Sequence, residues 1–466
     1  MSNTITIREF DKITCDNSNE KCNDYHVIDK KNFDSLVSFI REYVSSSDEC
    51  DKEIFFNLYY KKGDTVSING YVGVISLPNG FQIEVLPKVE LSCTNTEKSE
   101  EKQLKEKQLQ ETRQIFLKML SYINYFPVKS FRNASLSSKK MNIFEIFIRN
   151  FIDDCWRLVK KGIASSYIST EDNISFFKGK LLVSEHISHN AFRKNKFYME
   201  FDSFEQNRAE NRLIKSTLLK LMQYTRNNEN SKQIKQLLSY FDNVAESVNY
   251  EQDFSKVIID RNTTSYSDLL AWAKIFLKDQ SITMFTGKTN AKALLFKMDK
   301  IFESFVAAYL KKLFSNEPGI SVSAQDKGKS LLVENTHDGQ NKIFNLRPDI
   351  VIKQNGQPLC VLDTKWKKLT SSEKSNYGIS ESDMYQMYAY AKRYEVKNVY
   401  VIYPVFPKYQ NSNSIRLKDL ELFNKQHNNE LNMQIKILLL DLSCLVKNPN
   451  NDECNCYVLA NFFEEK

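Results

Sequence analysis

The segment Arg347-Pro348-Asp349-Ile350-Val351-Ile352, a turn through residues 353–357, and the run Pro358-Leu359-Cys360-Val361-Leu362-Asp363-Thr364-Lys365-Trp366 set two acids and a lysine inside strands that are otherwise apolar. Burying such charges is expensive unless they are paired or hold a metal ion. This hairpin therefore constrains the fold more than any other segment. Alternation along its second strand puts Leu359, Val361, Asp363 and Lys365 on one face and Cys360, Leu362, Thr364 and Trp366 on the other. Both faces are largely apolar, which places the strand in the middle of a sheet, with Asp363 and Lys365 projecting together at its end.

Whether Asp349 joins them depends on the turn. A two-residue loop at Asn355-Gly356 pairs Asp349 with Leu362 and leaves the two aspartates on opposite faces. A three-residue loop Gln354-Asn355-Gly356, with Gly356 left-handed in a bulge, pairs Asp349 with Val361 and puts all three groups on one face. In the second case two carboxylates are arranged to hold one or two Mg²⁺ or Mn²⁺ ions. Such ions activate water and stabilise the leaving oxygen in phosphodiester cleavage, while the lysine stabilises charge or orients the nucleophile.

The surrounding chain of 466 residues is long enough for two or three domains. Residues 1–112 read as a β-rich domain, with short strands at 4–10, 54–60, 71–77 and 81–86, and Pro78-Asn79-Gly80 as a tight hairpin turn. The run 97–113 is charged and too polar to bury a face by itself, so it reads as a solvated helix or linker. Residues 113–280 keep helical spacing through Ile115, Phe116, Met119 and Leu120, and again through Ile143, Phe147 and Phe151. This middle region is interrupted by β-like stretches at 166–180 and 196–204, and residues 251–268 read as a connector. Residues 281–466 open with an amphipathic helix over 292–314, then strands, a helix over 380–394 and a further strand at 398–405. The order predicts an α/β core with a mixed sheet inside a multidomain α+β chain.

Composition narrows the function classes. The excess of 65 basic over 58 acidic residues permits a nucleic-acid partner without requiring one, and Lys139-Lys140 and Arg193-Lys194-Asn195-Lys196 are basic patches suited to phosphates or to solubility. Nine irregularly spaced cysteines without a CxxC pair suggest neither a disulfide framework nor a zinc site, and point to a reducing cytoplasm. No apolar run approaches the about 18 residues of a membrane span. A phosphate-binding G-x-x-x-x-G-K-[ST] loop is absent, so nucleotide hydrolysis is expected of a partner. His186 and His189 lack an evident third ligand and read as solvent-facing. Ser380 with Asp383 makes a capping-box-like helix start, and Gln386 and Tyr390 follow on one face of that helix.

Asp349 followed by Asp363-Thr364-Lys365 resembles the PD-(D/E)xK nuclease signature. The fuller form, Arg347-Pro348-Asp349-Ile350 and then Leu362-Asp363-Thr364-Lys365-Trp366-Lys367, resembles the McrC family of restriction subunits. The likeness extends to Met298-Asp299-Lys300-Ile301-Phe302-Glu303, to Lys178-Gly179-Lys180 with residues 207–214, and to Val72-Gly73-Val74-Ile75 with Pro87-Lys88. It implies a restriction-endonuclease-like C-terminal domain. Asp349, Asp363 and Lys365 would be catalytic, Glu303 would be a third metal-ligating carboxylate, and Gln386 and Tyr390 would form the QxxxY element beside such sites. It also implies a partner, a McrB-like AAA+ ring that binds and hydrolyses GTP, with Pro78-Asn79-Gly80 as the candidate contact. The substrate would be double-stranded, modified DNA, and the nuclease domain a possible self-dimer. Two other readings stand beside it: a non-catalytic activator of an AAA+ complex, and a stand-alone DNA-repair nuclease.

Overall fold

The structure, a computed structural model, describes residues 4–16, 24–46, 56–59, 65–88, 98–123, 141–259, 263–277, 283–286, 292–336, 339–367, 369, 373–405, 420–421, 433–442 and 445. Lys139 and Lys140, the tail after Leu445 and the cysteines at 22, 50, 93, 444, 454 and 456 lie outside the described residues. The chain divides into two compact units, Met1–Phe131 with Phe285–Lys466, and Arg132–Met284. Among the described residues no helix is long and apolar enough to cross a membrane.

The first unit begins with β1 (Thr4–Arg8), β2 (Lys12–Thr14), β3 (Tyr25–Val27), α1 (Lys30–Ser46), β4 (Phe56–Tyr59), β5 (Thr65–Ile68), β6 (Tyr71–Ser76), β7 (Gln82–Leu86) and α2 (Lys98–Leu120). Phe33, Leu36, Phe39 and Ile40 recur at helical spacing on α1 and are buried against Ile7, Ile75 and other strand residues. The Pro78-Asn79-Gly80 turn closes β6 on β7 with Gly80 at φ 82°. Asn79 accepts from Phe81 N at 3.0 Å and donates to Asn32 at the start of α1, so the turn is held against that helix. Of the two readings of the charged run, helix or linker, the helix is the one found: residues 98–113 continue into the apolar residues that follow to form the single helix α2. Arg113 Nε donates to Oε1 of fully buried Glu84 at 2.9 Å, so the helix is tied to β7 by a charge pair that local polarity does not reveal.

The second unit contains α3 (Ile143–Lys161), β8 (Ser166–Ile174), β9 (Lys180–Leu181), α4 (Val183–Asn190), β10 (Phe197–Glu205), α5 (Ala209–Tyr224), α6 (Asn228–Ser239), α7 (Tyr250–Lys256) and α8 (Ser267–Leu277). Asn142 caps α3 by accepting from Glu145 N at 2.9 Å. The buried Glu145 carboxylate in turn accepts from Arg226 N at 2.6 Å and Thr225 Oγ1 at 2.8 Å. Residues 251–268 are not a plain connector. They contribute to α7 and α8, and Asp253 pairs with Arg212 of α5 at 2.6 Å.

Chain elements then continue with β11 (Thr283–Thr286), β12 (Lys292–Lys297), α9 (Met298–Leu313), β13 (Ile320–Ala324), β14 (Ser330–Thr336), β15 (Gly339–Asn345), β16 (Ile350–Gln354), β17 (Gln357–Thr364), α10 (Glu381–Tyr394), β18 (Asn398–Val405), β19 (Leu420–Glu421) and β20 (Gln434–Asp441). The expected helix over 292–314 is therefore corrected: it is a strand and then a helix. Ala293, Leu294, Leu295 and Phe296 are all buried, and a short run apolar on both faces fits a central strand as well as a helix. β12 pairs antiparallel with β6, in the sheet order β1-β7-β6-β12-β11. Gly73 permits that pairing, because a Cβ at this position (φ 144°) would sit 1.9 Å from Leu294 O. A second, mixed sheet has the order β13-β16-β17-β18-β20-β19, with β17 and β18 parallel and β16 and β17 antiparallel. β17 thus lies inside the sheet, as its two apolar faces require, and α9 and α10 both pack on it.

Candidate active site

The β16–β17 hairpin uses the two-residue loop at Asn355-Gly356, but neither of the registers considered from sequence. Asn355 (φ 52°) and Gly356 (φ 82°) are both left-handed, as a two-residue type I′ turn demands. The register runs Gln354 to Gln357 and Lys353 to Pro358, then shifts at a bulge so that Ile352 meets Cys360 and Ile350 meets Leu362. Carried one residue further, this register sets Asp349 opposite Asp363, and both carboxylates share a face. The geometric demand is met by a tight turn plus a bulge in place of a longer loop.

Asp349 Oδ2 accepts from Thr364 N at 2.8 Å and from Thr364 Oγ1 at 2.7 Å. Asp363 is 2% exposed, and its Oδ2 lies 2.7 Å from Lys365 Nζ and has no other hydrogen-bond partner among the described residues. Glu303, buried on α9, accepts at Oε2 from Lys300 Nζ (2.8 Å) and at Oε1 from Gln325 Nε2 (2.8 Å). The Gln325 backbone N–H also bonds Asp349 O at 2.8 Å, so one residue holds both acids in place. Lys365 Nζ further donates to Gln386 Oε1 at 3.2 Å and lies 3.6 Å from Asp383 Oδ1. Gln386 Nε2 donates to Tyr390 OH at 2.7 Å, and Tyr390 OH donates to Arg347 O at 3.0 Å. The α10 residues named from sequence are therefore brought to the lysine. Ser380 caps α10 by accepting from Asp383 N at 3.2 Å. Sequence reasoning took Asp383 for a cap alone and missed its ion pairs with Lys365 and, at 3.2 Å, Lys367. Gln325 and Thr364 were also missed, and neither carries a pattern that would have marked it.

Electrostatics bind these groups into one unit. Burial, and then the charges of Asp363 and Glu303, push Asp349 up to about 7, against the bonds from Thr364. Asp363 is likewise raised by burial, which Lys365 opposes. Burial works against the Lys365 ammonium, but Asp363 and Asp383 outweigh it and hold its pKa above the usual lysine value. Burial would raise Asp383 too, yet Ser380, Lys365 and Lys367 keep it below the ordinary carboxylate range. Among the described residues no three Asp, Glu, His or Cys side chains converge into a ready metal cage. Lys300, Gln325, Thr364 and Lys365 instead satisfy the acids one by one. The donor set nevertheless fits a hard divalent cation: oxygen ligands only, Asp349 and Asp363 raised chiefly by burial, and an Asp363 oxygen whose one partner among the described residues is the lysine.

His186 and His189 form no part of this arrangement. His186 Nδ1 is 3.0 Å from Asn190 Nδ2, and His189 Nε2 is 3.4 Å from Glu185.

A stability consequence follows. The folded chain keeps a proton on Asp349 up to pH about 7, whereas the unfolded chain loses it near the ordinary value of 3.8. The metal-free protein should therefore lose stability as pH rises through that window and level off above it. Asp349→Asn keeps an oxygen for both Thr364 donors and cannot ionise. In chelator, its melting temperature is expected to match the parent at pH 4 and exceed it by roughly 3 °C at pH 8. Parallel curves for the two proteins would show that Asp349 does not carry this cost.

The family described as McrBC 5-methylcytosine restriction system component matches residues 66–404. The fold is similar to that of a chain in a refined half-complex from the tetradecameric assembly of Thermococcus gammatolerans McrB AAA+ hexamers with bound McrC. That likeness covers 94% of each chain at a TM-score of 0.66 and 20% identity. A chain from a cryo-EM structure of the Thermococcus gammatolerans McrBC complex is 21% identical over 66% of this chain and 87% of its own, at a TM-score of 0.49. No curated protein matches the sequence.

Proposed function

This chain belongs to the McrBC family of 5-methylcytosine restriction system components, and on that premise we propose that it is the Mg²⁺-dependent DNA endonuclease subunit of a modification-dependent restriction system. Its partner would be an AAA+ GTPase ring whose hydrolysis it stimulates. The observation that carries the nuclease reading is the meeting of Asp349 and Asp363 with Lys365 at the end of one buried hairpin. That arrangement fits a PD-(D/E)xK nuclease centre. Asp349 and Asp363, with Glu303 of α9, would hold Mg²⁺ or Mn²⁺. When bound, the ion supplies Lewis-acid stabilisation of phosphate charge and a more acidic water.

The chain's own residues do the rest. Thr364 fixes the direction of the Asp349 carboxylate, and Gln325 fixes Glu303. Lys365 brings a full positive charge to the place where the scissile phosphate gains negative charge. Gln386, itself oriented by Tyr390 and the Arg347 carbonyl, fixes where that ammonium points. The intact acid pair and lysine favour this reading over a purely activating scaffold. Family membership favours it over a stand-alone repair nuclease.

Binding of the ring is assigned to the N-terminal part, with Pro78-Asn79-Gly80 as the local candidate, since Pro78 and Asn79 are exposed. The test is purification of the full chain from its host, followed by cleavage assays. Co-purification of an AAA+ protein without a nuclease domain, and cleavage of modified double-stranded DNA only with nucleotide and Mg²⁺, is the expected result. Nucleotide-independent cutting by the chain alone would favour the repair reading.

A further inference from the structure

Glu9 follows β1 and is 1% exposed. Its N–H bonds Leu86 O at 2.9 Å, and the N–H of the left-handed Phe10 bonds Ile68 O at 2.9 Å, so the backbone is fixed by the ends of β7 and β5. The Oε1 of Glu9 accepts from Lys88 N at 3.0 Å and from Trp366 Nε1 at 2.7 Å, while Oε2 is buried and has no hydrogen-bond partner among the described residues. One unsatisfied oxygen makes this buried carboxyl costly, although the other oxygen satisfies the N–H groups of Lys88 and Trp366. Burial accordingly pushes Glu9 up to about 7. Of its two partners, Trp366 is the one that leads to the candidate site.

Trp366 directly follows Lys365, whose own N–H bonds Ile402 O at 2.9 Å and so keeps the strand end in register. The indole is 7% exposed and packs on Phe302 with ring centroids 5.3 Å apart, next to Glu303 on α9. Met298 N, at the start of α9, bonds Gly70 O at 3.0 Å. Two of the segments that bring acids to the site, α9 with Glu303 and the end of β17 with Asp363, are therefore tied to the N-terminal part of the chain at Gly70 and Glu9.

We propose that Glu9 is a positioning residue for the candidate nuclease site, setting the end of the strand that carries Asp363 and Lys365 through its hydrogen bond to Trp366. The inference rests on the nuclease reading above. Partners one step removed from a metal site are worth about 10–100-fold in affinity or activity.

The test uses the full chain with Glu9→Leu, Trp366→Phe, their combination and Glu9→Gln. Mn²⁺ binding by the chain is followed by electron paramagnetic resonance, and DNA turnover and KM are measured in the complex with the ring. Glu9→Leu and Trp366→Phe are each expected to weaken Mn²⁺ binding about tenfold and to lower turnover about as much, with KM for DNA and nucleotide hydrolysis unchanged. The double variant should be no worse than the poorer single, because both remove the same link. Glu9→Gln should stay near the parent, since its amide oxygen accepts the same two N–H groups. Should Glu9→Leu fail to fold, Trp366→Phe, which keeps a ring against Phe302, decides alone. Parental Mn²⁺ binding and turnover in Glu9→Leu and Trp366→Phe, or additive losses in the double, overturn the proposal. Asp363→Asn assayed alongside separates the two failures. If it is inactive while the Glu9 and Trp366 variants are not, only the positioning role falls. If it cuts like the parent, the nuclease reading falls.

Discussion

Lys365→Ala is expected to lower DNA turnover by roughly 10²–10³-fold at saturating metal, the usual loss when one donor to a developing negative charge is removed. The ammonium is held from three sides, by Asp363 at 2.7 Å, Gln386 at 3.2 Å and Asp383 at 3.6 Å, so it reaches the reaction already oriented. Those acids also keep it charged against the cost of burial. Removing it takes a positive charge away from the place where a divalent cation would sit, so Mn²⁺ affinity should hold or rise while turnover falls. An ammonium that served to retain metal would show the reverse. Full turnover restored simply by more metal would assign Lys365 that other role.

The hairpin was legible in the sequence because its physics is local. Two acids and a lysine within apolar strands announce both a central strand and a charged site, and Asn355-Gly356 announces the turn. The cap of α10 at Ser380 and the Gln386/Tyr390 face were legible for the same reason, since they depend on helical spacing alone. What failed depended on distance along the chain. Residues 292–297 read as helix because the apolar run of four from Ala293 to Phe296 satisfies both periods, and only its pairing with β6 decides between them. The bulge that brings Asp349 opposite Asp363 leaves no residue signature, because the unpaired residue, Leu359, is an ordinary apolar strand residue. Arg113 with Glu84 and Glu9 with Trp366 lie 29 and 357 residues apart, and no local pattern indicates that they meet. Gln325 and Thr364 were missed because a glutamine beside a turn and a threonine in a strand are unremarkable until the acids they hold are in view.

The division of labour inside the proposed complex gives the sharpest test. Asp363→Asn is nearly isosteric, removes a buried charge and leaves Lys365 its contacts with Gln386 and Asp383, so the chain should fold and join the ring. It also takes a ligand charge from the candidate metal site, and groups that act as a unit lose nearly everything when one is removed. Cleavage of modified double-stranded DNA should therefore fall by at least about 10³-fold. Nucleotide hydrolysis by the ring, stimulated from the N-terminal part, should continue at the parental rate. DNA cleavage and nucleotide hydrolysis measured side by side on the parental and Asp363→Asn complexes decide the matter: hydrolysis kept with cleavage gone is the predicted result, and equal cleavage by the two complexes would contradict it.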